Sequence, residues 1–60
     1  MSRRLFFEGR YFDLRRLSRI RRRGRTIYAL YGGAPIIMHS YDSLELAREG
    51  RAYLRRRGAR

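Results

Sequence analysis

Up to Tyr41 the apolar residues come mostly in short runs broken by polar or glycine pairs, with one stretch at a spacing of three (Leu14, Leu17, Ile20), and beyond it the spacing is mainly three and four. Residues 5–14, LFFEGRYFDL, place aromatics on both sides of Glu8-Gly9. Gly9 can take the positive φ that a tight turn requires, so the segment predicts a β-hairpin. With a two-residue loop, Phe7 faces Arg10, Phe6 faces Tyr11, Leu5 faces Phe12 and Arg4 faces Asp13. The last is an opposite-charge cross-strand pair, which favours this register. Leu5 and Phe12 then share one face, and Phe6 and Tyr11 the other.

Residues 13–24, DLRRLSRIRRRG, fit two patterns. In one, Asp13 caps a helix carrying Leu14, Leu17 and Ile20, and Gly24 ends it. In the other, the strand runs on, with Arg15, Leu17 and Arg19 on one face. The extended reading is preferred, because a short helix crowded with like charge is weak. Residues 26–41, TIYALYGGAPIIMHSY, are two β-rich runs around Gly32-Gly33, a strong hairpin signal. Here Tyr31 faces Ala34, Ala29 faces Ile36, Tyr28 faces Ile37, Ile27 faces Met38 and Thr26 faces His39. Pro35 belongs at a strand start or on an edge.

Residues 42–57 read as a helix. Asp42 or Ser43 can serve as N-cap, and Asp42 with Glu45 has capping-box spacing. Glu45 and Glu49 early, and Arg55, Arg56 and Arg57 late, suit the helix dipole. Gly58 is placed to terminate it. Leu46, Ala47, Gly50, Tyr53 and Leu54 form one stripe, and Arg48, Arg55, Glu45, Glu49 and Arg56 fall opposite. Gly50 costs about 1 kcal/mol against Ala; it either lets the helix approach the sheet closely or marks a weak point where the helix breaks. Ile27, Ala29, Ile36 and Met38 offer a small aliphatic face for that stripe, leaving Tyr28, Ile37, Thr26 and His39 on the other side. The predicted fold is α+β: a small antiparallel sheet of three or four strands packed against one C-terminal helix, in a single small basic domain over residues 1–60. The recurrence of RRRG at 21–24 and 55–58 reads as low complexity, since the two halves do not otherwise align.

Composition adds constraints. An apolar fraction of 43% with five Tyr and three Phe favours a folded chain over a disordered one. Without Cys there is no disulfide and no Cys-based zinc site, so the core or an oligomer must supply the stability. The longest apolar run, residues 34–38, is far short of the roughly 20 residues of a membrane helix. Leu5-Phe6-Phe7 is too short for a signal-peptide core, and a cytoplasmic location is expected.

The charge changes the picture most. Sixteen Arg, no Lys and five acids give a net charge of +11. A magnitude of about 2–8 suffices for solubility in a small domain. The excess costs folding energy by self-repulsion unless a polyanion neutralises it. Catalytic chemistry has little to draw on. His39 is the sole His, and the acids already have uses in a turn, a cross-strand pair, a cap and the helix dipole. One His and no Cys leave no transition-metal set, and Gly32-Gly33 lacks the spacing and Lys of a phosphate loop. The expectation is a non-enzymatic protein with no cofactor and no metal.

The basic segments are Arg3 and Arg4; a middle block of Arg15, Arg16, Arg19, Arg21, Arg22, Arg23 and Arg25; and Arg55, Arg56, Arg57 and Arg60. Such clusters attract phosphate backbones by counterion release, and guanidinium makes bidentate contacts with phosphate and guanine. Tyr28 and His39 on an exposed sheet face would add contacts in a groove. The expected partner is therefore nucleic acid, duplex DNA first. Small size and composition suit a phage, viral or mobile-element origin. The competing reading is a small regulator that binds an acidic surface of a larger protein such as the transcription machinery. An open sheet edge would also allow a homodimer.

TIYALYGGAPIIMHSYDSLELAREGRAYL, about half of the chain, resembles the small three-stranded DNA-binding domains of phage tyrosine integrases and plant ethylene-response factors. The similar part is a hairpin followed by Ser40-Tyr41-Asp42-Ser43-Leu44-Glu45 and an Ala-containing helix. The resemblance implies that the sheet reads the major groove and the helix supports it from behind. It places Arg25, Tyr28, Ile37 and His39 on or beside the reading sheet. GRTIYALYGGAPIIMHSY is also similar to the central strands of RelE/HigB-type ribonuclease toxins. The helical pair that precedes those strands is missing, and no acid–base set accompanies them.

Overall fold

A computed structural model describes residues 3–60. The hairpin of β1 (Arg4–Phe7) and β2 (Arg10–Asp13) forms a two-stranded sheet of its own. A second, three-stranded antiparallel sheet is ordered β3 (Leu17–Arg23), β4 (Thr26–Tyr31), β5 (Ala34–Ser40), and the helix α1 spans Leu44–Arg56. The architecture is the expected small α+β fold, with the first hairpin set apart from the main sheet. No helix among the described residues is long and apolar enough to cross a membrane.

The first hairpin has the register expected from its sequence, from Arg4 opposite Asp13 to Phe7 opposite Arg10. Both loop residues take positive φ, Glu8 at 48° and Gly9 at 79°, as a primed turn between twisted strands requires. Leu5, Phe7 and Phe12 point into the core, and Phe6 and Tyr11 point outward as a ring pair 4.9 Å apart. Arg4 stands opposite Asp13 as expected, and the Asp13 carboxylate also pairs with Arg15, the two side chains 3.2 Å apart.

Residues 13–24 combine the two sequence patterns. Asp13 caps a single 3-10 turn, Leu14–Arg16, by accepting a hydrogen bond from the Arg15 backbone N–H at 2.9 Å. The chain then becomes strand β3, so Arg15 does not share a strand face with Leu17. A β-bulge between Ser18 and Arg21 places Arg19 at φ 52°. The extra residue lets Leu17 and Ile20, three apart, both point inward. A spacing that reads as helical is thus accommodated on a strand, and Arg19 is exposed while Leu17 is buried.

The β4–β5 hairpin follows the expected register from Tyr31 opposite Ala34 to Tyr28 opposite Ile37. Beyond that point a second irregularity shifts it by one, so that Ile27 faces His39 and Thr26 faces Ser40. Met38 enters the core as the additional residue, and the Thr26 and Ser40 hydroxyls meet at 3.1 Å. His39 therefore lies on the Ile27 side of the sheet and not beside Tyr28. Its ring packs edge-on against Tyr41, with centroids 4.5 Å apart.

Ser43, not Asp42, caps α1 by accepting a hydrogen bond from the Leu46 N–H at 3.1 Å. At the other end Gly58 takes φ 81°, its N–H donates to the Arg55 carbonyl and the Ala59 N–H donates to the Leu54 carbonyl. This is a Schellman ending, and buried Ala59 and Leu54 supply its apolar contact. The buried stripe is Ala47, Gly50 and Leu54, narrower than the sequence pattern, and Leu46 is left exposed.

The core lies where both sheets and the helix meet: Leu5, Phe7 and Phe12; Leu17, Ile20, Ile27, Ala29 and Met38; Leu54 and Ala59. Polar links tie the hairpin to this core. The Asp13 N–H donates to the Tyr31 hydroxyl at 2.9 Å, and the Tyr53 hydroxyl donates to the Phe6 carbonyl at 3.0 Å. Arg10 donates to the Ile37 and Met38 carbonyls at 3.3 and 3.4 Å, bracing the irregular stretch of β5.

Gly50 is needed for a close approach. A Cβ there would meet the Tyr41 side chain, with the ring Cζ at 2.8 Å. The Tyr41 hydroxyl is buried without an ordinary hydrogen bond, and burial, then the nearby Glu8 carboxylate, pushes its pKa well above the usual phenol range. Gly50→Ala gains about 1 kcal/mol of helix propensity. Displacing a packed ring costs about 1–3 kcal/mol. The expected net loss of about 1 kcal/mol lowers Tm by roughly 4–8 °C, measured by thermal denaturation. An unchanged Tm would mean that moving Tyr41 costs only about the 1 kcal/mol that the helix gains, and a raised Tm that the ring moves aside without cost.

Candidate nucleic-acid interface

The face of the three-stranded sheet turned away from α1 is open. Alternation along β4 brings Thr26, Tyr28 and Leu30 to it, and the register carries Arg21 and Arg23 of β3 and Pro35 and Ile37 of β5 to the same side. Tyr28 is 40% exposed and Ile37 54%, and the two are cross-strand partners. Arg19, pushed out by the bulge, joins Arg21 and Arg23 along a shallow groove with Tyr28, Leu30 and Pro35. Among the described residues no carboxylate lines this groove. The result is an apolar strip with guanidiniums along one border.

The other sequence-predicted residues lie in different places. Arg3, Arg4 and Arg15 border a hollow by the first hairpin, with Tyr11, Phe12, Asp13 and Tyr31. Arg4 lies over the Tyr11 ring at 5.3 Å and Arg16 over the Tyr31 ring at 5.2 Å. Hydrogen bonds from the Arg15 side chain, then from its backbone N–H, hold the Asp13 carboxyl below the usual carboxylate range, and the same pairing raises Arg15. These arginines are at the Tyr31 end of β4, whereas Arg23 sits opposite Thr26 at the other end. Arg25, in the β3–β4 turn, donates to the Asp42 carbonyl at 3.4 Å. His39 is on the helix side. Arg22 points inward from β3 and gathers with Arg55 and Arg56 in a cleft against α1, while Arg57 is the exposed C-cap.

No protein-family model, curated protein or solved structure matches this chain. Its chemistry must be read from its own side chains.

Two groups escaped the sequence reading of the site. Pro35 and Leu30 complete the open face, and their place follows from the Gly32-Gly33 register alone. Arg48 and Arg51 join Arg55 on one side of α1; their spacing of three and four was the available signal. Arg51 is half-buried, and its guanidinium is less basic than usual because of burial first, then the nearby charges of Arg55 and Arg21. Among the described residues no three His, Asp or Glu side chains come close enough to hold a metal ion.

Proposed function

We propose that this chain is a non-enzymatic nucleic-acid-binding protein that lays the open face of its three-stranded sheet in the major groove of duplex DNA. The observation that carries the reading is the exposed Tyr28–Ile37 strip bordered by Arg19, Arg21 and Arg23 on the side of the sheet opposite the helix. A major groove about 12 Å wide admits a narrow β-ribbon. Arg19, Arg21, Arg23 and Arg25 would hold phosphates, and Tyr28 and Ile37 would touch base edges and thymine methyl groups. The resemblance of the second hairpin and helix to integrase-type and ethylene-response-factor domains implies the same orientation. A net charge of +11 supplies long-range attraction to a polyanion.

The test is fluorescence anisotropy of labelled duplex DNA, single-stranded DNA and duplex RNA, titrated with the protein over a range of salt. Saturable binding with duplex DNA preferred is expected. Four phosphate contacts give a slope of log K against log salt of about −3.6. Weak binding, equal for all three and abolished by physiological salt, would leave only generic charge and overturn the reading.

A further inference from the structure

A second basic site lies on the helix side of the sheet, away from Tyr28 and Ile37. The bulge in β3 leaves Ile20 outside the ladder of paired residues. Its carbonyl accepts from Arg21 Nη1 at 2.9 Å and from Arg51 Nη2 at 3.5 Å. One neutral carbonyl thus gathers two cations. Arg22 and Arg55 complete the lining of this hollow of about 320 Å³, and Arg48 and Arg56 extend it along the helix. Among the described residues no carboxylate lines any part of it.

Arg51 is the informative residue. Its Nη1 is buried and makes no hydrogen bond to the protein. A buried donor without a partner is costly, and more so when it belongs to a charged group. The neighbouring cations increase that cost, and the reduced basicity of Arg51 reflects it. Packing alone does not require this arrangement, because the aliphatic stem of Arg could be buried with its head in water. A tetrahedral oxyanion in the hollow would neutralise the crowded guanidiniums and accept paired N–H bonds from their planar forks, a small rotation of the Arg51 head bringing its shielded Nη1 within reach.

We infer that the cleft between β3 and α1 is a phosphate-binding site, with Arg51 as its central ligand and Arg22, Arg48 and Arg55 around it. The phosphate is carried either by a nucleic-acid backbone or by a free phosphate compound. The site does not rest on the open-face reading, because its ligands come from the opposite side of the sheet and from the helix. Arg21, which borders both hollows, is the one residue they share.

The experiment is an NMR titration of arginine side-chain Nε–Hε signals with pyrophosphate, ionic strength held constant by sodium chloride. Saturable shifts of Arg51 and Arg55 are expected. Arg51→Gln should weaken pyrophosphate binding about ten-fold or more, as loss of a charge-assisted contact does. Arg55→Gln, at an exposed position, should also weaken it and guards against a folding defect in the first variant. Tyr28→Ala should leave the pyrophosphate curve unchanged, so failure of the open-face reading would be visible separately as an unchanged duplex affinity for that variant. A second arm adds a short DNA duplex. Shifts at Arg51 and Arg55 that pyrophosphate reverses assign the site to backbone phosphate; a duplex that leaves those signals unmoved assigns it to the free anion. A pyrophosphate response no larger than that to chloride, or one equal in wild type and both Arg variants, would overturn the site.

Discussion

Phe12→Ala is expected to leave the chain largely unfolded at 37 °C. Phe12 is 2% exposed and stands where the first hairpin meets the main sheet. Its ring meets Tyr31 edge-on with centroids 5.5 Å apart, and Arg10 covers it at 4.8 Å. Truncating a buried Phe costs about 3–5 kcal/mol. A chain of this length has about 3–9 kcal/mol in total. The loss should also spread, because Arg10 braces β5 and the Asp13 N–H holds the Tyr31 hydroxyl. Phe6→Ala is the matched control. Phe6 is 51% exposed, and the carbonyl that accepts from Tyr53 belongs to the backbone, so a change within about 0.5 kcal/mol is expected. Circular dichroism and urea unfolding would measure both. Loss of hairpin signals with the three-stranded sheet still folding cooperatively would show instead that the hairpin is an appendage.

The elements that the sequence made legible are those with one reading. Glu8-Gly9 and Gly32-Gly33 each fix a turn, and a turn fixes the register next to it. Gly58 followed by Ala59 fixes the helix end. What escaped was local irregularity. Leu17 and Ile20 are three apart, which suits one helical turn or one bulged strand equally well, and only packing against Ile27 and Leu54 decides between them. The shift at Met38 has no turn residue to announce it; it allows Met38 to fill the core while Thr26 and Ser40 pair their hydroxyls. His39 changes sides as a result. Asp42 and Ser43 both look like caps, and the geometry of a single residue decides for Ser43. The same limit applies to the candidate site. The Arg-rich run 19–25 was readable as a basic block, but a block does not state its sides. Strand alternation divides it, sending Arg21 and Arg23 to the open face and Arg22 to the helix side. Arg51 stood unremarked between Gly50 and Ala52, although it carries the buried, unbonded donor.

Replacing Tyr28 with Ala and Arg21 and Arg23 with Gln in one variant is expected to lower duplex-DNA affinity about 100-fold, equivalent to about 2.7 kcal/mol. The three side chains line the open face, Arg21 also bordering the helix-side hollow, and none belongs to the buried core. Loss of two phosphate contacts should reduce the salt slope by about 2. Loss of the Tyr28 ring should appear at high salt, where phosphate terms are screened and a contact of about 1–3 kcal/mol to the bases remains. The decisive comparison is Arg15→Gln with Arg16→Gln. That variant removes the same formal charge, but from the Tyr31 end of β4, where Arg15 is already paired with Asp13. If affinity depended on total charge alone, the charge loss would weaken both variants alike. If the open face is the interface, the Arg15/Arg16 variant should stay within a few-fold of the wild type and keep most of its salt slope. Equal losses in the two variants, measured by anisotropy at matched salt, would remove the sheet face from the mechanism and leave the net charge as the whole attraction.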